Sequence, residues 1–263
     1  MSKPINKKPR VHYLVPYLAN PVHPIFVDVV GAGGTGSQVI TFLARLNLAL
    51  KAFGLPGLMV TVWDGDKIGV ENLGRQLFFE SEIGVHKATA IVQRVNRLYG
   101  FGWHAVPRNY ARTKEKWRCN VIISCVDKFE SRKIVHDIFY APTSASFEFD
   151  SYYWIDTGNG RDYGQIFLAS KQIKQPKTTK FETVPKLPSM FDLYPEDKLK
   201  EDDKNSGPSC SLAEALYQQD LFINPAVALF AVDLFKKMLV NMVIGIRGAY
   251  INLATNTVNP INL

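Results

Sequence analysis

The chain has only three cysteines among its 263 residues, Cys119, Cys125 and Cys210, and no two of them form a Cys-x-x-Cys pair. That spacing argues against a disulfide framework and against a zinc site, so no zinc is expected and a reducing, cytoplasmic setting fits. Long apolar runs are also missing. None reaches the ~18 residues that a membrane span needs, and the most apolar tract, Pro225 to Ile246, is broken by Asp233, Lys236 and Lys237. The early cations Lys3, Lys7, Lys8 and Arg10 precede no apolar stretch, so they read as a solvated tail and not as the front of a signal peptide. The five histidines, His12, His23, His86, His104 and His136, show no metal-ligand spacing on any one helix and are expected to be structural.

Charge excludes less. A net charge of +7 favours anionic partners, but 31 basic residues are set against 24 acidic ones, so nucleic acid is not an expected partner. The length and a 46% hydrophobic composition suit one large domain with an appendage.

The run Ile25 to Val30 reads as a buried strand that feeds a glycine turn, and Ser37 to Ala52 follows with helical spacing of apolar residues. Leu58 to Trp63 is a second strand, His86 to Tyr99 a helix with Ala88, Ile91, Val92, Val95 and Leu98 on one side, and His104 to Val106 a short strand. Val121 to Val126 and Glu130 to Tyr140 repeat the strand-helix order. The expected fold is α/β, a Rossmann-like open and mostly parallel sheet with helices on both faces, extended by C-terminal antiparallel strands. Tyr152 to Thr157 and Gln165 to Ala169 flank a glycine-rich connection suited to antiparallel pairing; helices over Ser211 to Gln219 and Pro225 to Val243 and a strand near Tyr250 to Leu253 follow. The chain divides into an N-terminal arm (1–24), a nucleotide-binding core (25–170), an irregular crossover stretch (171–209) and a C-terminal part (210–263) that completes the same domain.

The glycines of Gly31-Ala32-Gly33-Gly34-Thr35-Gly36 let a backbone turn sharply, approach a phosphate and open a helix whose first amides face that anion. Asp64 ends the second strand, where a carboxylate can accept hydrogen bonds from a ribose; Asp66 is as well suited to capping a turn as to touching a ligand. NAD chemistry accounts for this much. It has no use for Asn72, Arg75 and Gln76 just beyond, nor for Lys87 at the next helix start, which together supply a rigid fork of donors and a mobile point charge for a triphosphate. Asp127, at the end of the Val121 strand, is expected to bind magnesium beside such a phosphate, directly or through water, a role compatible with capping the helix that follows.

In this order the residues resemble the ThiF, MoeB and HesA superfamily, which includes ubiquitin-activating enzymes. The resemblance runs from Val27 to Asp127, with weaker agreement at Ile155 to Gln165 and Ser209-Cys210, and is greatest to the ThiF-type member of the plasmid-associated PRTRC set. It implies ATP-dependent adenylation of the C-terminal carboxylate of a small ubiquitin-like β-grasp protein, by a homodimer, with Asp64 on the ribose, Asn72, Arg75 and Lys87 on the phosphates and Asp127 on magnesium. Relatives with two Cys-x-x-Cys pairs hold zinc, and this chain lacks both. Relatives that form a thioester use a cysteine, for which Cys210 is the candidate. The competing readings are an NAD-dependent oxidoreductase and a nucleotide-binding interaction protein without turnover.

Overall fold

The computed structural model describes residues 8–111, 119–142, 150–201 and 219–263. Its strands are β1 (Arg10–Tyr13), β2 (Ile25–Val30), β3 (Leu58–Trp63), β4 (His104–Val106), β5 (Val121–Ser124), β6 (Tyr153–Asn159), β7 (Tyr163–Ser170), β8 (Glu182–Thr183), β9 (Val243–Ile244), β10 (Ile246–Asn252) and β11 (Thr257–Asn262). The helices are α1 (Pro16–Ala19), α2 (Gly34–Ala52), α3 (Lys87–Tyr99), α4 (Phe129–Tyr140), α5 (Met190–Leu193), α6 (Glu196–Glu201) and α7 (Ile223–Asn241).

Eight strands form the main sheet in the order β11-β10-β7-β6-β5-β2-β3-β4. From β4 to β6 neighbours run parallel, and from β6 to β11 they alternate, as expected for a parallel core with an antiparallel extension. Buried β-branched residues make the parallel strands, and their alternation sorts the two faces. Val27, Val29, Val121, Ile123, Tyr153 and Ile155 join α2, α3 and α7 in the larger core, whereas Val30, Ile122 and Trp154 turn to the opposite face and pack on Val135 and Phe139 of α4.

The chain lays β3 and β4 on one side of β2 and then returns to lay β5 on the other, so β2 and β5 flank a topological switch point. In open α/β sheets the ligand crevice lies at the carboxyl ends of such strands. Register brings those ends level: Val30 pairs with Trp63 and with Ser124, and Ser124 pairs with Asp156.

Several local expectations change. The α2 helix starts at Gly34 and not Ser37, because the last glycines of the loop already wind its first turn. Strand β5 stops at Ser124, leaving Cys125 and Val126 to the loop that bears Asp127. Leu98 is exposed; Tyr99 and Phe101, stacked with ring centroids 5.4 Å apart, pack against the core in its place. The C-terminal strand is a hairpin, β10 and β11. Residues of the arm are bound into the body: β1 pairs with β8 and β9 in a small second sheet, and His12, Leu14, Val15 and Leu18 are buried. Arg10 pairs with Glu182 at 3.3 Å at the surface, while Lys3 and Lys7 lie outside the described residues. The stretch expected to be irregular carries β8, α5 and α6, all short.

Candidate nucleotide site

The glycine loop connects β2 to α2 at the switch point. Gly31 has φ +92°, a conformation open to glycine, and a side chain there would press on the Cys125 carbonyl. At Gly36 a Cβ would collide with the Gly31 carbonyl, so this glycine lets the helix sit on the loop; at Gly34 it would strike Asn224 of α7. Packing thus requires three of the glycines. Gly33 differs, because its missing Cβ faces space whose nearest side-chain atoms, those of Gln76, stand 4.0 Å away. It is the place where a ligand could approach the backbone.

Asp64 fastens this loop. Its Oδ2 accepts from the Ala32 amide at 2.6 Å and its Oδ1 from the Asp66 amide at 2.8 Å. Burial raises its pKa, and the two amides and the Lys87 charge oppose that rise. Each oxygen keeps acceptor capacity beyond its amide, so the carboxylate remains suited to a ribose hydroxyl.

The segment after β3 forms a short turn of 3-10 helix, Val70–Asn72. Asn72 is buried, and its Oδ1 accepts from the Gly69 amide at 2.9 Å, which shapes the turn that presents Arg75 and Gln76. Lys87 opens α3 and is buried, with Nζ 3.1 Å from Oδ2 of exposed Asp66. Arg75 is half-buried; burial lowers its pKa and the charge of Asp127 opposes this. Arg75 Nε and Gln76 Oε1 are both buried without a hydrogen-bond partner among the described residues. An unmade hydrogen bond at a buried group is costly, so a donor and an acceptor left open beside a glycine loop are suited to meeting a ligand there.

Asp127 is exposed at the crevice end of β5. Its loop is held from beneath by Arg132 of α4, whose Nη2 donates to the Val126 carbonyl at 3.1 Å and to that of Thr157 at 3.4 Å. The same guanidinium pairs with buried Asp156, with Nε 3.1 Å from Oδ2. Asp156 also accepts from Ser124 Oγ at 2.5 Å.

The structure therefore gathers Gly31, Gly33, Gly34, Gly36, Asp64, Asp66, Asn72, Arg75, Gln76, Lys87 and Asp127 about the ends of β2, β3 and β5. Cys210 lies outside the described residues. Cys119 and Cys125 are free thiols; burial pushes the Cys119 thiol up strongly and that of Cys125 to about 12, which leaves neither a nucleophile at neutral pH. Among the described residues no three His, Cys, Asp or Glu side chains cluster as a metal site, and no helix is long and apolar enough to cross a membrane.

Sequence reasoning missed a set of amides. Gln219 Oε1 accepts from Arg75 Nη1 at 2.9 Å, and Asn224 and Asn159 continue the contact toward Thr35. Asn224 lies just before a proline at a helix start, a pattern that says nothing of this contact, and Gln219 gave no signal.

A model of the ThiF family matches residues 23–259, a span that covers both ends of this site. The chain belongs to the ThiF family. Its fold is similar to that of E. coli MccB, with a TM-score of 0.58 and 13% identity over 93% of this chain. MccB has also been solved with ATP, where the TM-score is 0.56 and the identity 14% over 93% of this chain and 65% of MccB. PaaA matches at a TM-score of 0.57 and 13% identity, over 90% of this chain and 72% of PaaA. The present chain spans only 64% of MccB. No curated protein sequence matches it. At these identities the likeness is one of fold, and this ThiF-family chain shares the α/β sheet and antiparallel extension of MccB.

Proposed function

We propose that this ThiF-family protein adenylates the C-terminal carboxylate of a small protein, consuming ATP and releasing pyrophosphate. The observation that carries the reading is the pair of open buried atoms, Arg75 Nε and Gln76 Oε1, beside a glycine loop at the switch point of the sheet. MccB, similar in fold, is found with ATP and also with MccA, which supports both halves of the reaction.

The site residues suit the chemistry. A C-terminal carboxylate, with a pKa near about 3.5, is ionised at neutral pH and needs no general base. One of its oxygens attacks the α-phosphorus, the bond from that phosphorus to the bridging oxygen breaks, and pyrophosphate leaves with the electron pair. The protein's task is to align the anion and offset the charge that develops on the leaving group. Amides at the α2 N-terminus, exposed by Gly33, face the phosphates; Arg75 and Lys87 supply positive charge; Asp64 orients the sugar while it holds the loop. Asp127 offers the hard oxygen that magnesium prefers, and the bound ion would offset phosphate charge.

The partner in this proposal is a ubiquitin-like β-grasp protein, the enzyme is a homodimer of the PRTRC type, and Cys210 is the candidate acceptor should the acyl group pass on to a thioester. The test is ATP-pyrophosphate exchange with candidate partners. Exchange is expected with a free C-terminal carboxylate and lost when that carboxylate is amidated. Binding of NAD in preference to Mg-ATP would overturn the proposal.

A further inference from the structure

Arg75 feels the charge of Asp127 across the crevice, but the side chain that holds its guanidinium by a hydrogen bond is an uncharged amide. Gln219 Oε1 receives two donors, Arg75 Nη1 at 2.9 Å and Asn224 Nδ2 at 2.9 Å, while Gln219 Nε2 donates to the Gly160 carbonyl at 3.2 Å. Asn224 Oδ1 in turn accepts from Thr35 Oγ1 at 2.9 Å and from Asn159 Nδ2 at 3.0 Å. Asn224 is buried, and the absence of a side chain at Gly34 gives it room. An unbroken chain of amides thus links the guanidinium to the first turn of α2, across 144 residues of sequence at one step and 189 at the other. Each amide in it has its orientation fixed by the donor and acceptor it faces.

A carboxylate in place of Gln219 would hold Arg75 more strongly, because a charge-assisted pair is about twice as strong as a neutral hydrogen bond. It would also set a second carboxylate, bonded directly and in addition to Asp127, against the guanidinium before any anion arrived. We infer that Gln219 and Asn224 are positioning residues that fix Arg75 toward the α2 N-terminus while adding no carboxylate, beyond that of Asp127, to compete with the phosphates of the substrate. This rests on the nucleotide reading given above. The neutral clamp explains why Arg75, half-buried, is steered by an amide and has its Nε left open.

The experiment is calorimetric binding of Mg-ATP and, separately, of inorganic tripolyphosphate to the full chain at several salt concentrations. Gln219→Glu keeps the shape and the acceptor but adds a charge; it is expected to weaken both ligands by about tenfold or more and to flatten the salt dependence, and Arg75→Ala is expected to do the same. Gln219→Ala and Asn224→Ala release the clamp without adding charge. They are expected to weaken binding with the wild-type salt dependence retained, and it is the difference in salt dependence between these variants and Gln219→Glu that a structural role alone would not produce. Should Gln219→Glu fail to fold, these two still decide the matter, since wild-type affinity in both overturns the inference. Wild-type affinity and salt dependence in Gln219→Glu overturn it as well. If the wild type binds tripolyphosphate and not Mg-ATP, the nucleotide reading falls while the clamp is still tested on the anion. If it binds neither, both fall.

Discussion

Lys87 Nζ rests 3.1 Å from Asp66 Oδ2, and the two side chains differ sharply in exposure, 10% against 73%. A buried cation is thereby held by a carboxylate that lies mostly in water. Such a pair contributes little to stability, because solvent screens it and the exposed acid can rehydrate when its partner is gone. Lys87→Ala is therefore expected to change folding stability by less than about 1 kcal/mol. Losing a charged hydrogen-bond donor to phosphate should at the same time weaken Mg-ATP about tenfold or more. Thermal melting and calorimetric binding on the same sample check both halves; a large loss of stability with unchanged affinity would move Lys87 from the site to the framework.

The glycine loop makes a sharper contrast. At Gly36 a methyl group would meet the backbone of Gly31, which cannot move aside, so Gly36→Ala is expected to cost about 1–3 kcal/mol or more. At Gly33 a methyl group meets nothing closer than the Gln76 side chain at 4.0 Å. Gly33→Ala should lose much less stability than Gly36→Ala yet bind Mg-ATP at least about tenfold more weakly, because the methyl occupies the approach to the α2 amides. Equal affinity in the two proteins would show that the ligand does not pass over Gly33.

These two glycines show what a sequence can and cannot disclose. A β-branched run ending in glycines signals a strand, turn and helix, so the switch-point loop and Asp64 were legible from local pattern alone. Which glycine packs and which opens a site depends on what lies opposite, and that is set by residues such as Cys125 and Asn224 far along the chain. The same limit hid the Arg75 to Gln219 contact, and with it the role of Asn159. The small β8-β1-β9 sheet escaped because its pairings are two residues long, and β11 because Asn259, Pro260 and Asn262 interrupt any run of β-branched residues at the edge of the sheet. Edge strands tolerate such residues where central ones do not.

His12 binds the arm to the body by two bonds, Nδ1 to the Val184 carbonyl at 2.6 Å and Nε2 to the Tyr153 hydroxyl at 3.0 Å. Burial lowers its pKa, and the bond to Val184 opposes that. With the folded pKa below the unfolded one, the unfolded chain takes up more protons as pH falls, so this group's contribution declines below about pH 6.5 and levels off beneath the folded pKa. His12→Gln should lose this part of the pH dependence. Urea denaturation of both proteins from pH 8 to pH 5 measures it, and parallel stability curves would show that His12 does not titrate differently on unfolding.

Arg132 and Asp156 form the buried pair beneath the crevice, and they offer the most demanding prediction. Burial raises the Asp156 pKa while Arg132 and the Ser124 hydroxyl pull it down. Arg132→Met removes the main counter-charge and strands a carboxylate in the core, which should cost about 3–5 kcal/mol. For a chain of this size the melting temperature would fall by roughly 10 °C. Without the guanidinium the folded pKa of Asp156 rises further, so the folded state binds the proton more tightly than the unfolded one. Stability then increases as pH falls through that folded pKa, and the deficit against wild type should narrow from pH 7 to pH 5. Replacing both residues, as Arg132→Met with Asp156→Asn, removes the stranded charge and should recover much of the stability at pH 7. Binding of Mg-ATP should stay weak in the double variant, because the carbonyls of Val126 and Thr157 have lost the donor that sets the Asp127 loop. Recovery of stability together with wild-type affinity would show that the pair serves the fold and leaves the site untouched.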